Sequence, residues 1–430
     1  MARVRDARAT LIAMAIVAGA VAGVSAQPTV TDPVRRVEFA EAIDLALARH
    51  PTVAQAVTAV TQAEALLQQA RAATRPIVTT GVTNVTLDTA RGFDTFVTQP
   101  QNQFAFTATA NAPILAPARW AALAQARDQI DVASRSVTEV RRQIAVAAAQ
   151  TYLAVIAARR QVDVDERALE NALAHLLYAD RRLEGGAGSR LNQLRAAQAV
   201  SADRARLEAT RLGLLRAQEA LGVVLAEDAP IDAGAEPAFD VTSAQDERVW
   251  MEARPDVQFQ QSVRRAAERV LNDSGKDWLP TGTVSFDPQY ITPAGLFQPS
   301  RTWRLTFAVT QPLFDGGERR ARASLRRVSF RQSELALSLV EIQARSEVRT
   351  ARASVASLER VLDSARLSAD QANEVLGITT AAFEVGATTN IEVIDAQRSA
   401  RDAETAAAQA EDAVRRERLD LLVALGRFPG

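Results

Sequence analysis

The chain has 430 residues, of which 47% are hydrophobic and 23% are charged, and its formal net charge is −1. Near-neutral charge argues against a nucleic-acid partner, because phosphate binding needs a basic surface. The chain has no Cys, which excludes disulfides, thiolate metal sites, cysteine nucleophiles and a lipid anchor on an N-terminal Cys. Only 16 Pro and 19 Gly are present, so long regular elements are expected.

Residues 1–26 have the pattern of a secretory signal peptide. A basic segment precedes an apolar stretch rich in small side chains, and a small-x-small cleavage site follows at residues 24–26. The basic residues are Arg3, Arg5 and Arg8. The alternative is a buried N-terminal helix. No later apolar run reaches the ~20 residues that a membrane-spanning helix needs, so an exported protein without a membrane helix is expected.

The remainder, 27–430, is predicted to be one domain made of two homologous repeats, at about 38–225 and 246–426. ARHPTV at 48–53 corresponds to EARPDV at 252–257. A similar offset separates two glycine turns, LEGGAGS in the first repeat and FEVGATT in the second. A repeat of roughly 200 residues is too long for a solenoid unit, so the two repeats are expected to be halves of one structure.

Both repeats have the same order of predicted elements. A moderate helical segment is followed by two short strands, a very long helix, a glycine turn and a second long helix. The helical segments are predicted at 38–74, 117–183 and 190–225, and again at 246–277, 317–383 and 389–425. Residues 226–245 are predicted to link the repeats.

The long helices carry apolar residues at spacings of three and four. One such stripe runs from Val348 to Leu376, and another runs from Val393 to Leu421 and is broken only at Glu417. A sustained period of 3.5 residues predicts coiled-coil packing, and the prevalence of Ala and Val requires partner helices to approach closely. A helix over 117–183 would be about 100 Å long, so the helices are expected to form a rod or tube.

Four segments are predicted to be strands, at 77–87, 102–112, 281–290 and 303–312. They alternate between apolar and small polar residues, more weakly in the first strand of each repeat. This alternation suits a membrane β-barrel with lipid outside and water inside, although a strand of a soluble sheet has the same period. Aromatic residues near the strand edges favour the barrel: Phe93, Phe96, Tyr290, Phe297 and Trp303. Four strands cannot close a barrel, and lipid does not tolerate an open sheet edge. Several copies must therefore contribute four strands each.

With these features the chain resembles the TolC-like outer membrane efflux proteins. The resemblance rests on EAIDLALARHPTV (41–53), QPLFDGGERR (311–320), LLVALG (421–426) and the paired glycine turns. It implies an α+β membrane protein in which a homotrimer completes a long coiled-coil α-helical barrel and a transmembrane β-barrel of twelve strands. It also implies a passive exit duct for efflux or type I secretion. That duct spans outer membrane lipid, extends into the periplasm, and contacts a periplasmic adaptor protein and an inner membrane pump.

The glycine turns are expected to lie at the end of the molecule farthest from the strands. Gly186 and Gly386 can adopt the left-handed conformation that ends a helix. Ser189 and Thr389 are predicted N-caps of the helices that follow, with a capping box at Thr389. These structural roles fully explain the residues. The family resemblance adds adaptor docking at two tripeptides, Gly185-Gly186-Ala187 and Val385-Gly386-Ala387.

Glu392 and Asp395 share one helix face because they are three residues apart. By the resemblance, they match acidic positions that ring the closed periplasmic entrance, where three chains would provide six carboxylates. The alternative is a solvated first helical turn, in which acids favour the helix dipole. TolC itself locks its entrance with a Tyr and an Arg. Phe383 and Thr388 stand at those places here, and neither can form the same charged link.

Arg182 and Arg190, beside the first glycine turn, are candidates for replacing that lock. No catalytic constellation is present, because the only histidines, His50 and His175, fall on different elements without surrounding carboxylates. The sequence therefore predicts no enzyme activity, cofactor or metal. The competing interpretation is a periplasmic coiled-coil scaffold without a pore. Such a scaffold gives no reason for alternating strands at matching places in both repeats.

Overall fold

The computed structural model describes residues 34–241 and 246–428. The predicted signal peptide at 1–26 lies outside the described residues. Within them, eight α-helices are present: α1 (Phe39–Arg49), α2 (Pro51–Ala72), α3 (Pro117–Glu184), α4 (Arg190–Leu225), α5 (Glu247–Ala253), α6 (Pro255–Asn272), α7 (Glu318–Glu384) and α8 (Asn390–Ala424). None of these helices combines the length and apolar character required to cross a membrane.

Eight β-strands accompany these helices in the described ranges. They are β1 (Arg35–Val37), β2 (Ile77–Thr86), β3 (Arg91–Phe93), β4 (Phe96–Gln99), β5 (Asn102–Leu115), β6 (Ile231–Ala233), β7 (Thr281–Thr292) and β8 (Arg301–Thr310). The four long strands, β2, β5, β7 and β8, overlap the four predicted strand segments.

Two long helical hairpins dominate the structure. α3 packs along α4, α7 packs along α8, and α3 also contacts α8. The predicted coiled-coil stripe is confirmed, since Val348, Val355, Ala400 and Val414 are buried. With 68 residues in α3, the first hairpin is about 100 Å long at 1.5 Å per residue. The small side chains on the stripe allow the helices to approach closely.

The segments predicted to be helical, 38–74 and 246–277, are helical over most of their length, and each is divided in two at the proline near its start. α1 ends before Pro51 and α5 ends before Pro255. The residue preceding a proline is pushed out of the helical region by the proline ring. His50 and Arg254 are accordingly extended, with ψ of 126° and 121°. His50 Nδ1 also accepts a hydrogen bond from the Thr52 N–H at 3.2 Å, which caps α2.

The segment predicted as a plain linker, 226–245, contains a buried strand. β6 pairs in parallel with β1, so that Arg36 lies opposite Asp232 in the register. Asp232 is buried and accepts hydrogen bonds from Arg159, from Gln218 at 3.2 Å and from Arg36 at 3.1 Å. Burial alone would raise the pKa of Asp232, but the hydrogen bonds from Arg159 and Gln218 hold that pKa below its usual value. This network joins the linker to α3 and α4.

The four long strands form an antiparallel sheet in the order β2-β5-β7-β8. Its strands β5 and β8 lead into the long helices α3 and α7. Val82 pairs with Phe106, Phe106 with Tyr290, and Phe286 with Leu305. These partners share one apolar and aromatic face, because cross-strand neighbours project to the same side of a sheet. β2 and β8 each have one neighbouring strand among the described residues. The sheet therefore has two open edges and an uncovered apolar face.

Candidate docking tip and gate

The two glycine turns close the two long hairpins with the same backbone geometry. Gly186 and Gly386 have φ of 75° and 82°, which is the left-handed conformation that glycine adopts without a Cβ clash. The Ala187 N–H donates to the Arg182 carbonyl at 2.9 Å, and the Ala387 N–H donates to the Ala382 carbonyl at 2.8 Å. These bonds satisfy carbonyls that the ends of α3 and α7 would otherwise leave without a partner.

The helices that return from the turns are capped at their first residues. Ser189 Oγ accepts the Asn192 N–H at 3.2 Å at the start of α4. At the start of α8, Thr389 and Glu392 form a reciprocal capping box, with the Thr389 N–H donating to Glu392 Oε2 at 3.3 Å. Each cap satisfies backbone N–H groups that have no partner within the helix.

Glu392 and Asp395 lie on the exposed side of α8, whereas Val393 and Ala396 between and beside them are buried. The capping bond occupies one carboxylate oxygen of Glu392. Asp395 makes no hydrogen bond or ion pair with another residue that the structure describes. Both carboxylates are thus presented to solvent at the tip, and the capping role of Glu392 is compatible with a second role at an entrance.

A buried polar contact joins the two hairpins close to the turns. His175 on α3 is buried, and its Nε2 donates to Oδ1 of Asn390 at 2.7 Å. Asn390 is the first residue of α8 and is also buried. Its Nδ2 donates to the Asn192 carbonyl on α4 at 3.5 Å. One side chain therefore connects α8 to both helices of the first hairpin. Sequence reasoning missed this contact, although a histidine among apolar helix positions was a signal that could have been followed.

Phe383 fills the space beside this contact. It is 7% exposed, and its ring centroid lies 5.3 Å from that of His175 and 5.4 Å from that of Tyr178. The Arg182 guanidinium lies 5.7 Å from the Phe383 ring, within range of a cation–π interaction. Of the two arginines proposed to replace the family's lock, Arg182 thus reaches the other hairpin. Arg190 instead donates to Gln193 on its own helix at 2.8 Å.

Burial lowers the pKa of His175 below its usual value, and the hydrogen bond to Asn390 only partly opposes this effect. The folded tip therefore favours the neutral imidazole, while an opened tip binds a proton more readily. The stability of the folded tip relative to the opened tip is therefore greatest above the ordinary histidine pKa of about 6.5, and it decreases as the pH falls below that value. A single proton limits the effect to about tenfold in the opening equilibrium per pH unit.

We expect amide hydrogen exchange around the two turns to be faster at pH 5.5 than at pH 7.5, after correction for the intrinsic pH dependence of exchange. His175→Gln, which retains a donor for Asn390, should remove this extra pH dependence. His50→Gln changes the only other histidine, far from the tip, and should leave the dependence intact. Equal protection of the wild-type tip at both pH values would contradict the prediction.

The profile of the outer membrane efflux protein family matches residues 42–227 and 250–427. The chain belongs to this family, which confirms the resemblance to TolC-like proteins. Outer membrane protein OprJ of Pseudomonas aeruginosa is 28% identical over 260 residues, a match that covers 58% of this chain and 54% of OprJ. The chain thus matches about half the length of that relative.

Solved structures share the fold across most of the chain. A membrane protein from Pseudomonas aeruginosa gives a TM-score of 0.80 at 22% identity, covering 90% of this chain and 93% of that one. The outer membrane protein VceC of Vibrio cholerae gives 0.77 at 17% identity, covering 90% and 96%. Family membership assigns the chain to the outer membrane, and the likeness to these solved structures assigns it the same, mainly helical fold.

Proposed function

We propose that the chain is one protomer of a passive exit duct across the outer membrane. The observation that carries the proposal is the four-stranded sheet, which has one apolar face and two open edges. Lipid does not tolerate unpaired backbone groups, so the β8 edge of one copy must pair with the β2 edge of the next. The family resemblance sets the number of copies at three, which gives twelve strands. The scaffold alternative leaves the apolar face and both edges without a partner.

The long hairpins extend this duct on one side of the membrane. α3 begins two residues after β5 ends, and α7 begins eight residues after β8 ends, so both hairpins start from the same end of the sheet. By analogy with the family, this side is the periplasm, and three copies of both hairpins surround a tunnel. The glycine turns then lie at the periplasmic tip, farthest from the membrane, where Glu392 and Asp395 are proposed to ring the entrance.

The tip is the proposed docking site for a periplasmic adaptor that connects the duct to an inner membrane pump. The contact residues are Gly185, Gly186 and Ala187 in the first turn and Val385, Gly386 and Ala387 in the second. Val385 is 81% exposed, and the space around the missing Cβ atoms of Gly186 and Gly386 is open. An exposed apolar side chain on a capped, well-defined turn offers a partner a rigid contact.

Docking can be tested with single cysteines, because the natural chain has none. Val385→Cys, labelled with a benzophenone maleimide and co-expressed with the host's periplasmic adaptor, should form a light-dependent adduct of the two proteins. Val223→Cys is the matched control, since Val223 is 70% exposed but lies near the other end of α4. Equal cross-linking from both positions, or none from Val385→Cys, would exclude the tip as the docking site.

A further inference from the structure

An aromatic groove ends at a single arginine on the apolar face of the sheet. Four rings, those of Phe106, Phe286, Tyr290 and Trp303, line a groove of about 570 Å³ that Arg301 also lines. Phe286 and Trp303 contact each other, with ring centroids 6.1 Å apart, and all four aromatic side chains are exposed in the protomer. We infer that this groove binds a phosphate-bearing glycolipid, with Arg301 on the phosphate and the rings around an acyl chain.

Arg301 is the one charged residue on its face of the sheet. In the register it lies opposite Tyr290, and the next pairs on that side towards the helices, Pro288 with Trp303 and Phe286 with Leu305, are apolar or aromatic. Arg304 and Asp287 pair with each other on the opposite, polar face. The side chain of Arg301 forms no hydrogen bond or ion pair with another residue in the described ranges. Its guanidinium is thus exposed on a surface that faces lipid, without a protein partner for its charge.

The position of Arg301 along the strand decides which lipid it meets. Arg301 begins β8, whereas Thr310 at the other end of β8 leads towards α7. The part of the groove that contains Arg301 therefore lies at the end of the sheet away from the helices. In the orientation of the proposed duct, on which this inference rests, that end is in the outer leaflet. Phosphorylated glycolipids occupy the outer leaflet of this membrane.

The chemistry of the groove suits such a lipid. A guanidinium binds phosphate oxygens through two parallel N–H···O bonds, which are stronger than neutral hydrogen bonds. Transmembrane barrels carry girdles of aromatic residues at both membrane interfaces, so the four rings are placed to pack against the acyl-chain carbons next to the headgroup. An unpaired arginine near the membrane interface costs little free energy. A contact with a lipid phosphate would neutralise its charge and so favour binding. Because β8 is the edge strand that would pair with β2 of the next copy, one such lipid would bind beside each contact between protomers.

The test is a lipid titration followed by native mass spectrometry of the full chain, purified in detergent from a strain that expresses it. Diphosphoryl lipid A is the probe, with dephosphorylated lipid A and phosphatidylglycerol as separate arms. Wild type should retain diphosphoryl lipid A in preference to both other lipids. Arg301→Ala should weaken that binding about tenfold, the scale of one charged hydrogen-bond pair. Arg304→Ala, three residues away on the polar face, should bind as wild type does.

Unchanged binding by Arg301→Ala, or an equal loss in Arg304→Ala, would overturn the site. Equal, Arg301-dependent retention of phosphatidylglycerol would overturn the assignment to a glycolipid. Single-channel conductance of Arg301→Ala, recorded in bilayers that lack lipid A, separates this inference from the function. If Arg301→Ala conducts normally and its lipid A binding is unchanged, the lipid site is wrong and the proposed duct stands. If the wild type also fails to conduct, the proposed duct itself is wrong.

Discussion

Phe307→Lys is expected to prevent stable assembly of the chain in the outer membrane, whereas Thr306→Lys, one residue away, should assemble. Phe307 is 70% exposed in the protomer and lies on the apolar face with Leu305, while Thr306 projects to the polar side opposite Ser285. Lys at the lipid-facing midplane of a barrel costs about 2–4 kcal/mol. Every copy in the assembly would carry that cost. A charge on the polar side faces water in the proposed lumen.

Both variants can be followed by fractionating membranes and resolving the detergent extract on a semi-native gel. Phe307→Lys should be depleted from the outer membrane fraction and run as monomer or be degraded, while Thr306→Lys should retain the oligomer. Because the two substitutions add the same charge to the same strand, a general effect of lysine on β8 would affect both. Loss of both variants, or assembly of both, would contradict the assignment of the apolar face to lipid.

Neutralising Glu392 and Asp395 together should abolish most of the cation preference of the duct in planar bilayers. Rings of carboxylates favour cations and repel anions in a narrow pore, and three copies would place six carboxylates at the entrance. Glu392→Gln is chosen because Gln also completes a capping box, so that the start of α8 is preserved. Asp395→Asn is nearly isosteric and removes no hydrogen bond to a described residue.

The matched control neutralises two exposed carboxylates on α4, with Glu208→Gln and Glu219→Gln. The reversal potential in a salt gradient gives the ratio of cation to anion permeability. That ratio should fall several-fold in the tip variant and change little in the control. An unchanged reversal potential in the tip variant would remove Glu392 and Asp395 from the pore. An equal shift in both variants would indicate a general effect of surface charge and would contradict a local gate.

The long elements could be predicted because their periods repeat many times. The stripe from Val348 to Leu376 spans about eight helical turns, and residues 303–310 alternate between apolar and other residues throughout. The division of the first helical segments was also readable, since Pro51 and Pro255 each exclude the preceding residue from a helix. A helix end at His50, before Pro51, was expected on this ground and α1 does end there, whereas no helix end was predicted before Pro255.

The short elements could not be found in this way. β1 and β6 have three residues each, too few for a period, and they pair across nearly two hundred positions of chain. The β3–β4 hairpin turns at Asp94, which has φ of 50°, without the glycine that usually indicates such a turn. The His175–Asn390 contact depends on the register between two hairpins, which helical periodicity alone does not determine.

That contact restricts how the entrance could widen. Any sliding of α8 against α3 must first break the hydrogen bond between His175 and Asn390 and expose two polar groups that lost their water on folding, at a cost of about 1–3 kcal/mol. Within one protomer, the two hairpins are therefore coupled and tend to tilt as a rigid pair. Opening of the proposed entrance would then occur mainly by movement at the interfaces between neighbouring subunits, while each protomer's pair of hairpins keeps its internal packing.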